Sequence, residues 1–97
     1  MPTDDDIRDD VRHLHDHLVA LQELPVERSA SRWIGESESV ARDLVDGDVD
    51  RAVLRKRLSH VEELLANVEG TEDQTADEHV ADAKRITADL LDRLGEE

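Results

Sequence analysis

The stretch IRDDVRHLHDHLVAL, residues 7–21, decides how the chain is read. Its apolar residues Ile7, Val11, Leu14, Leu18 and Leu21 step by 4, 3, 4 and 3. That spacing puts them on one seam of an α-helix about four turns long. Just upstream, Thr3 and Asp6 form an expected capping pair, while Asp4 and Asp5 suit the positive end of the helix dipole. Pro25 ends the segment.

The same rhythm recurs three times. Val26, Ala30, Trp33, Ser37, Val40 and Leu44 mark a second helix, weakened by Ser29, Ser31, Gly35, Ser37 and Ser39. Either its small side chains admit a close neighbour or its first turns are irregular. Gly47 is expected to stop it, with Asp48 capping the next. A third segment runs from Val49 to about Glu69, with Leu54, Leu58, Val61, Leu65 and Val68 on its seam, Leu64 beside it and Gly70 closing it. Thr75 and Glu78 spell a capping box for a fourth helix with Ala76, Val80, Ala83, Leu90 and Leu94 on its seam, flanked by Ile86 and Leu91. Gly95 ends it.

The expectation is one domain over residues 1–97, with helices at about 4–23, 27–46, 49–69 and 76–94. Short connections force antiparallel neighbours, so the fold class is all-α, an antiparallel up-down four-helix bundle. A second arrangement uses two long helical hairpins that complete a bundle only by dimerisation. With Trp33 the only aromatic, the core must be aliphatic, and a second copy sharing it is expected.

Charge narrows the setting. The chain carries 15 Asp and 11 Glu against 10 Arg and 2 Lys, a net charge of −14. In dilute buffer such a charge repels itself, whereas at molar salt the screening length falls to about 3 Å. Concentrated salt also penalises exposed methylene stems, of which lysine has the longest. In this Asp-rich, Lys-poor composition and in its helix layout, the whole chain resembles the cytosolic proteins of halophilic archaea, and more narrowly their small all-helical proteins. The resemblance carries no functional motif and implies no activity.

Nucleic acid and anionic membrane both repel this charge, and strong salt removes most of the counterion-release drive. The acidic start MPTDDDIRDD lacks the pattern of a signal peptide. The longest purely apolar run, Leu18 to Leu21, is far below the about 20 residues of a membrane span. A cytoplasmic location is expected. Without cysteine there are neither disulfides nor thiolate ligands.

The pentapeptide HLHDH, residues 13–17, holds three of the five histidines. At 100° per residue His13 and His17 lie about 40° apart, and His15 about 160° from both. His13 and His17 thus offer a two-ligand clip for a divalent metal, with Asp10 or Asp16 nearby and a further donor needed from elsewhere. The competing reading turns His13 and Asp16 to solvent and packs His15 and His17 beside the seam. His60 and His79 are expected alone on the surface. The zinc-protease signature is broken by Leu14, and the paired Glu-x-x-His motifs of di-iron bundles are missing.

RAVLRKR, residues 51–57, gathers Arg51, Arg55, Lys56 and Arg57. Salt bridges to Asp43, Asp46 and the acidic face of the fourth helix are one reading. A nucleotide or anion site through Arg51, Arg55 and Arg57 is the other. No aromatic lies among them for a base to stack on. Glu62, Glu63, Glu78 and Asp82 loosely resemble the magnesium clusters of helical nucleotide pyrophosphatases, but Ala66 and Ala81 stand where further acids belong. Trp33, beside Ile34, is either core or the anchor of a contact.

No nucleophile elbow, phosphate-cradling glycine loop or triad setting is present. The sequence therefore predicts a non-catalytic helical interaction module without a cofactor. Its partner is another protein or itself as a homodimer, met through Trp33, Ile34, Arg51, Arg55 and Arg57.

Overall fold

A computed structural model describes residues 4–47 and 49–95. Four helices follow in order: α1 (Asp4–Gln22), α2 (Arg28–Asp46), α3 (Arg51–Ala66) and α4 (Gln74–Gly95). Each packs on its neighbours in chain order, and α1 closes the ring against α4. The described chain measures 38 × 21 × 19 Å, close to the roughly 30 Å length of a 20-residue helix. This is the up-down bundle, and one copy of the chain completes it.

The core is made by the seams. Ile7, Val11, Leu14, Leu18 and Leu21 are all buried, as are Leu58, Val61, Leu65 and Val68 of the third segment and Ala76, Val80, Ala83, Leu90 and Leu94 of the fourth. On α2 the seam is rotated from the expected line. Ala30, Ile34, Ser37, Glu38, Ala41 and Leu44 face inward, while Trp33 and Val40 are half-buried at the edge. The helix is regular from Arg28 onward, so its small side chains are core filling. Two hydroxyls reach the core without penalty because each donates to the carbonyl one turn back: Ser37 Oγ to Trp33 O at 2.9 Å and Thr87 Oγ1 to Ala83 O at 2.8 Å.

Helix ends differ from expectation in instructive ways. α3 starts at Arg51, two residues late, because Asp50 is its N-cap and accepts from Val53 N at 2.9 Å. It stops at Ala66, where Asn67 N turns back to Leu64 O at 3.2 Å, before Gly70 is reached. α4 starts at Gln74, capped by Asp73, whose Oδ1 accepts from Ala76 N at 2.9 Å. Thr75 is therefore inside the helix and not its cap. The expected caps Thr3 and Asp48 lie outside the described residues. Gly47 does end α2, for a steric reason: a Cβ there would meet Asp43 O at 2.8 Å.

The two connections at the far end from Gly47 are joined. Glu27 caps α2, its carboxylate accepting from Ser29 N at 3.0 Å and Ala30 N at 3.3 Å. Those backbone donors pull its pKa below the ordinary glutamate value. Its own N–H donates to Thr71 O at 3.0 Å in the opposite loop. Among the described residues, no helix is long and apolar enough to cross a membrane.

Candidate functional site

The polar chemistry of the molecule is concentrated on the two flanks of α1. Toward α4, His17 and His79 face each other with Nδ1 atoms 2.9 Å apart and ring centroids at 5.1 Å. Both are half-buried, so His79 is not the isolated surface residue that sequence suggests. Further along the flank Arg93 of α4 pairs with Asp10 of α1 and with Asp89 at 3.1 Å. His13, with a side chain 63% exposed, sits 3.5 Å from Asp10 Oδ1. The His13–His17 pair thus shares one flank as the helix geometry requires, but each ring has a different partner. Among the described residues no three His, Asp or Glu side chains converge as a ready metal cage.

Toward α2, His15 lies 3.6 Å from Glu38 Oε2, and Arg42 lies 3.6 Å from Glu38 Oε1. Glu38 is a buried acid that a seam count overlooks. His15 Nε2 and Glu38 Oε2 are both buried without a hydrogen-bond partner, which makes them a close but unclosed pair.

At the Gly47 end, a cavity of about 210 Å³ opens between α1, the end of α2 and the start of α3. Ile7, Val11, Leu44 and Leu54 give it apolar walls, and Arg8, Arg12 and Arg51 stand around it. Three guanidinium groups thus stand around one opening of a chain whose net charge is −14.

The arginines of the basic run do not form one site. Arg51 lines this cavity. Arg55 reaches the last turn of α4, its Nη2 lying 3.8 Å from where a side chain on Gly95 would begin, and a cation is favoured at a helix C-terminus. Arg57 is exposed and lies about 200° around α3 from Arg55. Among the described residues neither Arg55 nor Arg57 makes an ion pair with Asp43, Asp46 or the acids of α4.

The expected contact surface also needs correction. Ile34 is 1% exposed and belongs to the core, so it is not available to a partner. Trp33 stays half-buried, with the Arg32 guanidinium 5.3 Å from its ring centre. It lies 13 residues before the end of α2, about 20 Å of helix away from the Arg51 end.

Fold and surface together define a small all-α protein, an up-down four-helix bundle with paired polar flanks and one arginine-lined cavity. The chain belongs to the family described as a domain of unknown function, DUF8152, which spans residues 10–97. No curated protein and no solved structure matches it.

Proposed function

We propose that the protein is a non-catalytic helical interaction module of a high-salt archaeal cytosol that works as a homodimer. The observation that carries this reading is the position of Trp33. The chain's one aromatic is held at the edge of the core under Arg32, and tryptophan and arginine are both enriched at binding hot spots. Val40, two turns along the same flank of α2, is also half-buried. The contact is therefore assigned to the α2 edge carrying Trp33 and Val40. Charge supports the setting: two copies at −14 each approach only where salt screens them.

Light scattering in molar potassium chloride tests this. A dimer that Trp33→Ala weakens supports the reading. Monomers at every salt and protein concentration remove the self-association.

A second reading rests on the cavity. Arg12 beside the apolar walls suits an anion bearing an aliphatic group. At about 210 Å³ the space is below the roughly 300–1,000 Å³ of ordinary ligand pockets, so it fits a short acyl chain and not a nucleotide. Octanoate should raise the melting temperature more than phosphate or ATP does, and Arg12→Glu should abolish the rise. Equal responses to all three anions would remove this reading.

A further inference from the structure

α1 and α4 are the one neighbouring pair in the ring that no loop connects. At that junction His17 and His79 hold their Nδ1 atoms 2.9 Å apart. A neutral imidazole carries hydrogen on one nitrogen only, so here one Nδ1–H donates and the other Nδ1 accepts. If that hydrogen resides on Nε2 instead, both Nδ1 lone pairs are free to meet one ion. Two donors at this separation, each about 2.0–2.1 Å from a metal, subtend roughly 90° at it. That is the cis angle of a tetragonal site with N and O donors, the geometry of Cu(II) and Ni(II).

The flank supplies further donors in register. His13 lies four residues before His17 on α1, and Asp82 three residues after His79 on α4. The helices are antiparallel, so both steps run the same way along the junction. His13 and Asp82 have side chains 63% and 47% exposed, in loose pairs at 3.5 Å with Asp10 and 3.7 Å with Arg85. At i−4 from His17 and i+3 from His79, each stands one helical turn from a histidine of the pair. The chain has no cysteine, so imidazole is its only strong donor to such metals.

We propose that His17 and His79 anchor an interhelical site for a divalent metal of the copper and nickel type, completed by His13 and Asp82. The bound ion staples the first helix to the last and so stabilises the whole ring. This site joins His13 and His17 to a second helix, which a clip within α1 does not, and it does not depend on the interaction reading.

The probes are nickel and copper chloride alone, titrated calorimetrically into the full chain at neutral pH in molar potassium chloride. One ion per chain should bind and raise the melting temperature. Even outer-shell partners are worth about 10- to 100-fold in metal affinity, so His17→Gln or His79→Gln should each cost at least tenfold. Glutamine keeps a hydrogen-bonding side chain at the junction, and helical circular dichroism verifies that each variant is folded. His60→Ala, an exposed histidine on α3, should bind as the wild type does. The proposal is overturned if the His17→Gln/His79→Gln double variant, still folded, gives the wild-type isotherm, or if His60→Ala weakens binding as much.

Discussion

The backbone N–H of Glu27 donates to the carbonyl of Thr71 at 3.0 Å, linking the α1–α2 connection to the α3–α4 connection. Thr71 is wholly buried, and every polar atom it owns is engaged. Its N–H donates to Asp77 Oδ1 at 2.9 Å, and its hydroxyl lies 2.8 Å from the same oxygen. The hydroxyl also accepts from Asp73 N at 3.2 Å. Thr71→Val keeps the shape and removes the hydroxyl, leaving the Asp73 N–H without its acceptor and Asp77 with one donor fewer. The expected loss is about 1–3 kcal/mol of unfolding free energy, read by urea titration in molar potassium chloride. An unchanged midpoint would mean that the hydroxyl's bonds to Asp73 and Asp77 contribute nothing to holding this connection.

Glu27 connects stability to acid. Its carboxylate is stabilised first by the Ser29 N–H, then by the Ala30 N–H, so its folded pKa lies below the 4.5 of an ordinary glutamate. A depressed carboxylate pKa contributes stability that is fully present above 4.5 and is lost as pH falls through the folded value. Carbon-detected NMR titration should place the Glu27 midpoint below 4.5. Glu27→Ala should narrow the stability difference between pH 6 and pH 3. A Glu27 midpoint at 4.5 or above would remove the cap.

The unclosed pair of His15 and Glu38 makes a separate case. His15→Leu removes the imidazole facing Glu38 Oε2, which already lacks a hydrogen-bond partner, and leaves the buried carboxylate with Arg42 alone. Adding Glu38→Met removes that burden, since apolar replacement of a buried pair is often neutral or better. The double variant should therefore be more stable than the two single losses sum to, by at least about 0.5 kcal/mol. Strict additivity in the cycle would show that the two side chains do not interact.

Glu72 has a φ of 64°, the only positive value among the described non-glycine residues. Left-handed backbone costs a residue with a Cβ roughly 1–2 kcal/mol, and glycine avoids that. The exposed side chain makes no hydrogen bond or ion pair among the described residues. Glu72→Gly should raise the denaturation midpoint, whereas Glu72→Val should lower it. The opposite order would show that the loop does not need this conformation.

What could be read in the sequence was periodic and local. Ile7 to Leu21 announce α1 because five large aliphatics repeat without interruption. α2 was readable as a helix but not in its rotation. Its inward positions hold Ala30, Ser37 and Ala41, too small or too polar to outweigh Trp33 in a count of apolar residues. Thr87 passes as a surface residue until its hydroxyl is seen to be satisfied by its own helix, whereas Ser37 already stands on the expected seam. Caps misled where several acids compete, as Asp50 does with Asp48 and Asp73 does with the Thr75–Glu78 box. Partnerships across helices were out of reach. Nothing near His79 reveals that His17, 62 residues earlier, faces it, and helical spacing alone cannot distinguish a buried Glu38 from its exposed neighbours. The cavity likewise gathers Arg8, Arg12 and Arg51 from two separate helices.

The proposed high-salt setting requires that the aliphatic seams close this ring only while concentrated cations quiet its −14 exterior. Circular dichroism through one cycle, from molar to millimolar potassium chloride and back, tests it most directly. The helical signal should fade on dilution and return when salt is restored. A spectrum that stays fully helical at millimolar salt would contradict it.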